Sequence, residues 1–220
     1  MPFIKIHNNV RLDAENILNS NPEMVERIAN ILNLTFITTS DHIGNLCYAN
    51  NSNDLQHAYK ETFNRSDILA FIQAVFFSAK FNEKHYWIYD DGDMKVPYPK
   101  DRDTFWKLVQ ISKQIKQSIE LKSPYTQDFS SQFPIIGDNL IREPKFDLDK
   151  IYINNSQYFS SVLPSTWAFT IDGIQPAQKW LLDRVNHKLE PDDVIHYQKI
   201  IKTISETKRL IKKINNFEFD

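Results

Sequence analysis

The stretch IQPAQKWLLDRVNHKLEPDDVIHYQKIIKTISETKRL, from Ile174 to Leu210, decides how the C-terminal part of the chain folds. Pro191 suits the first position of a helix, two aspartates follow it, and two lysines stand near the expected end, as the helix dipole favours. Apolar residues recur at helical spacing at Val194, Tyr197, Ile201, Ile204 and Ile211. The sequence therefore predicts a long C-terminal helix over about 191–215, after a shorter helix over about 175–183.

The same stretch contains Pro191-Asp192 and Glu206-Thr207-Lys208, which resemble the PD…ExK signature of metal-dependent nucleases. In such nucleases the Glu and the Lys lie on a strand, where residues i and i+2 share a face. On a helix, residues i and i+2 are about 200° apart and cannot bind one metal and one phosphate together. Because the periodicity here is helical, a nuclease is only an unfavoured alternative.

The rest of the chain alternates helical patterns with short strand-like runs. Three further helices are predicted at about 20–34, 65–81 and 101–121. Asn21 and Ser66 are the expected N-caps of the first two, and 40–60 and 122–149 are expected to be loops, the second with short strands. Strands, one of them with a hairpin turn, are expected at 35–40, 86–100, 150–155, 157–162 and 166–171. The predicted fold class is α+β, with helices around a short mixed β-sheet and a long C-terminal helix.

The length of 220 residues suits one large domain or two small ones. We expect an N-terminal lead-in, 1–20, and one domain, 21–220, which divides further into a helical half, 21–122, and a β-plus-helix half, 123–220. Hydrophobic residues make up 41% and charged residues 25% of the chain, which is ordinary for a globular protein.

Charge, cysteine and glycine usage exclude several classes of protein. The net charge of −2 does not predict a nucleic-acid partner, so any such binding needs a local basic patch. Cys47 is the one cysteine, and no apolar run approaches the roughly 20 residues of a membrane span, so we expect a cytoplasmic protein without a membrane partner. None of the four glycines belongs to a GxGxxG or Walker loop, which disfavours a Rossmann-type nucleotide or S-adenosylmethionine pocket.

Several short motifs follow one another in a fixed order along the chain. The C-terminal ones are Tyr158-Phe159, Trp167, Phe169, Gly173, Gln175, Lys179-Trp180-Leu181, Asp183-Arg184, Asp192-Asp193, His196-Tyr197-Gln198, Glu206-Thr207 and Arg209-Leu210. Together they resemble the C-terminal segment of type ISP and related single-chain type II restriction–modification enzymes. Stretches at 21–36, 67–85 and 96–115 extend the resemblance upstream. The match covers most of 20–215 in the right order.

The chain departs from the family pattern at a few positions. The family's Lys-Gly-Arg turn is Val185-Asn186-His187 here, and the second Gly of Gly-Gly-Tyr-Gln is Asp172. The Gly expected after Lys-Leu-Val is Ser112. These departures affect the turn geometry expected near 172–187 and leave the scaffold in place.

The resemblance implies the target-recognition (specificity) domain that follows an adenine-specific DNA methyltransferase domain. Its implied function is sequence-specific recognition of double-stranded DNA, which directs methylation or cleavage by a methyltransferase or nuclease located elsewhere. The chain itself is then expected to have no catalytic residues, metal or cofactor, whereas S-adenosylmethionine and magnesium belong to the parent enzyme. The implied partners are double-stranded DNA and a methyltransferase domain or subunit. An alternative is an interaction module that docks a methyltransferase or helicase through the apolar stripe of the last helix.

Basic residues are the candidates for phosphate contact, because such contacts supply affinity without base information. Residues 200–213 hold five basic residues and one acidic residue, although a merely solvated helix face is the alternative. The candidate phosphate contacts are Lys179, Arg184, Lys188, Lys202, Lys208, Arg209 and Lys212.

Base readers are expected where the chain fails to match the family, since its members read different sequences on a shared scaffold. Those segments are 40–60, 84–98 and 122–149, and side chains of Asn, Gln and Arg suit base edges in the major groove. The candidate base readers are Asn50, Asn51, Gln127, Gln132 and Arg142.

Overall fold

The computed structural model describes residues 3–6, 17, 21, 23–38, 61–79, 94–121, 129–171 and 173–219. These residues form six helices and three small sheets, so the predicted α+β class is confirmed. The strands form separate sheets of two, two and three strands instead of one mixed sheet. The chain divides into two compact units, Met1–Lys113 with Ile211–Asp220, and Gln114–Leu210.

The first unit contains two strand pairs with aromatic and aliphatic side chains around them. Strand β1 (Phe3–Ile6) pairs antiparallel with β4 (Met94–Pro97), and β2 (Thr35–Ile37) pairs parallel with β3 (Thr62–Asn64). Its helices are α1 (Met24–Leu32), α2 (Arg65–Phe76) and the greater part of α3 (Arg102–Ile119). Within its core, the ring centroid of Phe105 lies 6.1 Å from that of Phe63 and 5.5 Å from that of Phe71.

The predicted N-caps of α1 and α2 are both wrong. The side-chain amide of Asn21 donates to the carbonyl of Ile17 at 3.0 Å, and Glu23 occupies the cap position of α1 without a side-chain bond. Helix α2 is capped by Asn64, whose Oδ1 accepts from the backbone amides of Ser66 at 2.8 Å and Asp67 at 3.2 Å. The carboxylate of Asp67 accepts from the amide of Asn64 at 3.0 Å, which completes a capping box.

The second unit is built on a three-stranded antiparallel sheet. Its strands are β5 (Lys145–Asp147), β6 (Lys150–Tyr152) and β7 (Tyr158–Phe159). Three helices follow, α4 (Pro164–Trp167), α5 (Pro176–Leu182) and α6 (Pro191–Ile214), whose last turn belongs to the first unit. The long C-terminal helix and the shorter helix before it are therefore confirmed.

One face of this sheet packs into the core of the second unit. Ile151 and Phe159 are fully buried, and the ring centroid of Phe159 lies 4.7 Å from that of Tyr197 on α6. The Tyr197 hydroxyl donates to the carbonyl of Ala177 on α5 at 2.9 Å. Burial raises the pKa of Tyr197 well above its usual value. Tyr197 thus ties α6 to both the sheet and α5.

The strand predicted over 166–171 is wrong. Helix α4 occupies its start, because Pro164 at the first helical position has a backbone angle suited to a helix. The amide of Thr166 donates to the carbonyl of Leu163 at 2.8 Å, and the amide of Ala168 donates to that of Pro164 at 3.0 Å. Strand pairing in this segment is limited to an isolated bridge between Ile171 and Ile174.

Candidate nucleic-acid interface

Two segments that are distant in the sequence lie side by side in the second unit. The amide of Ile141 donates to the carbonyl of His187 at 2.9 Å, and the amide of Leu189 donates to that of Asn139 at 2.9 Å. These bonds place Leu140 opposite Lys188 in an antiparallel bridge. We call residues 135–142 and 184–189 the loop pair.

The loop pair contains two exposed candidate DNA-binding residues. Arg142 lies two residues after Leu140, whose bridge partner is Lys188. Ile141 between them is fully buried, whereas Arg142 and Lys188 are exposed. The sequence predicted Arg142 as a base reader and Lys188 as a phosphate contact.

A buried glutamine holds the first loop in place. The side-chain amide nitrogen of Gln157 donates to the carbonyl of Ile135 at 3.0 Å and to Oδ1 of Asn139 at 2.6 Å. Its oxygen accepts from the backbone amide of Asn139 at 2.8 Å and from the side chain of Asn154 at 3.0 Å. Both donors and both acceptor sites of this amide are therefore used inside the protein.

A close approach at Gly137 and a hydrogen bond from Asn154 also hold the first loop. A Cβ atom at Gly137 would lie 2.6 Å from Cδ of Gln157, so only glycine fits there without a shift of that amide. The side chain of Asn154 donates to the carbonyl of Leu140 at 3.1 Å. Gln157 and Asn154 thus fix the backbone of 135–140, while the side chain of Ile136 is 100% exposed.

Asp138 orients the guanidinium group of Arg142. The two side chains meet through two hydrogen bonds of 3.3 and 2.5 Å. The hydrogen bond from Arg142, helped by the backbone amide of Leu140, lowers the pKa of Asp138 to about 2. Because guanidinium carries five N–H donors, this pair leaves three donors of Arg142 to contact a ligand.

Arg184 and Lys179 have partners within the protein. The guanidinium carbon of Arg184 lies 3.9 Å from the ring centroid of Trp180, and its Nη1 donates to the carbonyl of Trp180 at 3.1 Å. Lys179 forms an ion pair with Asp183 at 2.8 Å. The carbonyl of Arg184 accepts from the amide of His187 at 2.9 Å, so Arg184 helps to shape the second segment of the loop pair.

The cations of α6 fall into two groups. Arg209 pairs with Glu206 through a 2.9 Å hydrogen bond, and the ammonium of Lys208 donates to the hydroxyl of Ser165. Burial lowers the pKa of Lys208. Among the residues that the structure describes, Lys202 and Lys212 have no ion-pair partner.

The helical placement of the nuclease-like motif is confirmed. Glu206 and Lys208 lie on α6 with the buried side chain of Thr207 between them. Asp192 lies on the same helix, about 21 Å from Glu206 along the axis at 1.5 Å per residue. The residues that imitate the PD…ExK signature therefore do not converge on one site.

Comparison with known proteins identifies the family. A family model described as the Type ISP C-terminal specificity domain matches residues 9–213. The chain belongs to this family. The resemblance seen in the sequence motifs is thereby confirmed. A search of curated proteins found no match.

Two solved structures resemble this specificity domain. One is the ATP-dependent Type ISP restriction-modification enzyme LlaBIII bound to DNA, with 14% identity and a TM-score of 0.51 over 72% of this chain and 11% of that one. The other is a nuclease-deletion mutant of the Type ISP restriction-modification enzyme LlaGI in complex with a DNA substrate mimic, with 16% identity and a TM-score of 0.47 over 70% of this chain and 14% of that one. The likeness to LlaBIII shows a shared fold, and the specificity domain spans about a tenth of that enzyme's length.

The family pattern explains an unusual residue in the loop pair. Asn186 stands where the family has the Gly of its Lys-Gly-Arg turn, and its φ is +67°. Asparagine is among the few non-glycine residues that adopt this left-handed conformation readily. Asn186 thus keeps the turn while it adds an exposed amide beside His187 and Lys188.

Asn186 and His187 were missed as candidate base readers. The signal was present, because Val185-Asn186-His187 departs from the family's Lys-Gly-Arg and readers are expected where the chain departs. Of the predicted readers, Gln132 is exposed and bridges to Ser160 next to β7. Asn50, Asn51 and Gln127 lie outside the described residues. All the candidate contacts stay predictions.

Among the residues that the structure describes, no group of three or more His, Cys, Asp or Glu side chains is placed to hold a metal ion. Over the same residues, no helix combines the length and apolarity needed to cross a membrane.

Proposed function

We propose that this specificity domain recognises one sequence in double-stranded DNA through the loop pair. The observation that carries the proposal is a locked backbone that presents Arg142, Asn186 and Lys188 to solvent. Arg and Lys suit guanine, and Asn suits adenine, at base edges in the major groove. The family match and the fold shared with a DNA-bound enzyme support this assignment.

In this proposal the chain supplies recognition and no chemistry. A methyltransferase or nuclease elsewhere in a cytoplasmic restriction–modification enzyme acts on the recognised site, and S-adenosylmethionine and magnesium bind there. The chain mixed with S-adenosylmethionine and DNA transfers no methyl group. Clear transfer would contradict this division of labour.

The experiment that tests recognition is selection from a random duplex pool at about 0.1 M salt, where close phosphate contacts remain effective. Enrichment of one asymmetric motif is the expected result. Recovery of random sequence with steep salt dependence would mean that the chain binds phosphates without reading bases. If no DNA is recovered, the interaction module becomes the better explanation.

A further inference from the structure

The outer face of the three-stranded sheet carries lysines and tyrosines. Lys145 on β5 stands opposite Tyr152 on β6, which stands opposite Tyr158 on β7. Lys150 lies two residues before Tyr152 and therefore on the same face. Residues of the other face lie in or against the core, so this one faces outward. We call Lys145, Lys150, Tyr152 and Tyr158 the lysine–tyrosine face.

Each lysine of this face is held over an aromatic ring. The ammonium of Lys150 lies 4.6 Å from the ring centroid of Tyr158, and that of Lys145 lies 5.9 Å from the ring centroid of Tyr152. The two tyrosine rings lie 5.3 Å apart. Cation–π contact positions the ammonium groups before any ligand arrives, which reduces the entropy lost on binding.

The donors of this face have no hydrogen-bond or ion-pair partners among the described residues. Neither lysine forms an ion pair there, and neither tyrosine hydroxyl forms a hydrogen bond. Lys145 and Lys150 are diagonal neighbours on adjacent strands, a geometry that places residues about 7–8 Å apart. Ammonium and tyrosine hydroxyl groups are among the side-chain donors that contact phosphate oxygens and position a duplex.

The loop pair is bonded to the end of this sheet. The amide of Arg142 donates to the carbonyl of Ile153 at 2.8 Å, and Ile153 directly follows the end of β6. Arg142 therefore lies beside the end of the strand that carries Lys150 and Tyr152. Because each ring is already covered by a lysine, backbone contact suits this face better than the stacking of an unpaired base.

We propose that the lysine–tyrosine face binds the phosphodiester backbone of double-stranded DNA beside the sequence that the loop pair reads. This inference rests on the proposed function and adds the part of the interface that supplies affinity without base preference. Asp147 lies on the same face opposite Lys150 and weakens the attraction for phosphate. The face thus contains both a group whose loss lowers affinity and one whose loss raises it.

The test measures how the affinity for the selected duplex depends on salt, from about 50 to 200 mM. For the double variant Lys145→Gln, Lys150→Gln, the negative slope of log K against log salt is expected to become shallower by about 2. Each phosphate contact contributes about 0.9 to the size of this slope. The selected motif is expected to stay the same. Lys116→Gln, a change at an exposed lysine on α3, is the matched control and keeps the wild-type slope.

Asp147→Asn supplies a test in the opposite direction. It is expected to tighten binding to the duplex, because the repulsion of phosphate is removed while the fold keeps an exposed side chain of the same size. An unchanged slope in the double lysine variant, or weaker binding in Asp147→Asn, would overturn the assignment of this face. Failure of the wild-type chain to bind any duplex would instead contradict the proposed function.

Discussion

Asn186 combines a structural property with a proposed role in reading bases. Its φ of +67° is a conformation that disfavours most residues, and its amide is exposed at the centre of the second segment of the loop pair. Glycine can keep the turn but offers no hydrogen-bonding group. Substitutions at this position therefore separate the shape of the turn from the reading of bases.

We predict that Asn186→Ala lowers the free energy of unfolding by about 1 kcal/mol, because alanine is strained in the left-handed region. Asn186→Gly is the control and leaves stability within a few tenths of that of the wild type, since glycine adopts the conformation freely. Both variants are expected to relax one position of the selected motif. Urea unfolding and duplex selection measure the two effects, and equal stability of the two variants would contradict the role of φ.

Gly137 is required because of the amide beneath it. Gly137→Ala places a methyl group against Gln157 and is expected to lower the free energy of unfolding by about 1–3 kcal/mol through overpacking and broken hydrogen bonds. Ile136→Ala, one residue away and fully exposed, is expected to change it very little. Equal urea midpoints for Gly137→Ala and Ile136→Ala would show that the loop accommodates the methyl group without loss of stability.

The Asp138–Arg142 pair gives a pH dependence with a defined sign. The pKa of Asp138 falls from 3.8 to about 2 in the folded chain, so its charged form is favoured by folding. The stability from this pair is present above pH 4 and is lost as the pH falls from about 4 towards 2. The urea midpoints of wild type and Asp138→Asn are expected to converge over this range; a constant difference would contradict the pairing.

At the scale of elements, periodic helices were predictable and caps were not. Helix α6 follows directly from its apolar stripe and its terminal charges. For α2 the sequence analysis chose Ser66, whereas the cap is Asn64, whose backbone amide donates in return to the carboxylate of Asp67. Helix α4 was mistaken for a strand because a helix of four residues, with the proline as its first, shows too little periodicity to distinguish the two.

Asn64→Ala is expected to lower the free energy of unfolding by about 1 kcal/mol, because two backbone amides of the first turn of α2 lose their acceptor. Ser66→Ala, a substitution within the same turn at an exposed position, is expected to have a much smaller effect. Thermal unfolding of the two variants compares them directly. An equal loss of stability in both variants would contradict the assignment of Asn64 as the cap.

At the scale of the whole molecule, the sequence shows which charges exist but not which are paired. The backbone bridge between Leu140 and Lys188 joins the two segments of the loop pair, and no local sequence pattern predicts it. Conversely, Lys179 and Arg209 looked equivalent to Lys202 as phosphate contacts and are paired with Asp183 and Glu206 respectively. Long-range backbone pairing and side-chain pairing together therefore decide the site, and both depend on the folded chain.

The difference between paired and unpaired basic side chains predicts that their substitutions affect DNA binding unequally. The double variant Lys188→Ala, Lys202→Ala is expected to weaken duplex binding and to lower the salt slope by about 2, because both side chains are available to phosphate. The double variant Lys179→Ala, Arg209→Ala removes the same charge from paired positions and is expected to change the slope less. Anisotropy titrations at several salt concentrations compare them, and the reverse order would contradict the assignment.

The side-chain amides of Gln157 and Asn154 bond to main-chain groups of the loop pair and not to its exposed side chains. Gln157 and Asn154 bond to carbonyls and amides of 135–140, whereas Ile136 contributes nothing to that bonding. The exposed side chains at 136, 187 and 188 can therefore be exchanged while the backbone stays the same, whereas Arg142 is paired with Asp138 and Asn186 holds a left-handed turn. If the loop pair reads bases as proposed, a randomised library confined to positions 136, 187 and 188 changes the selected motif while each member keeps the same backbone.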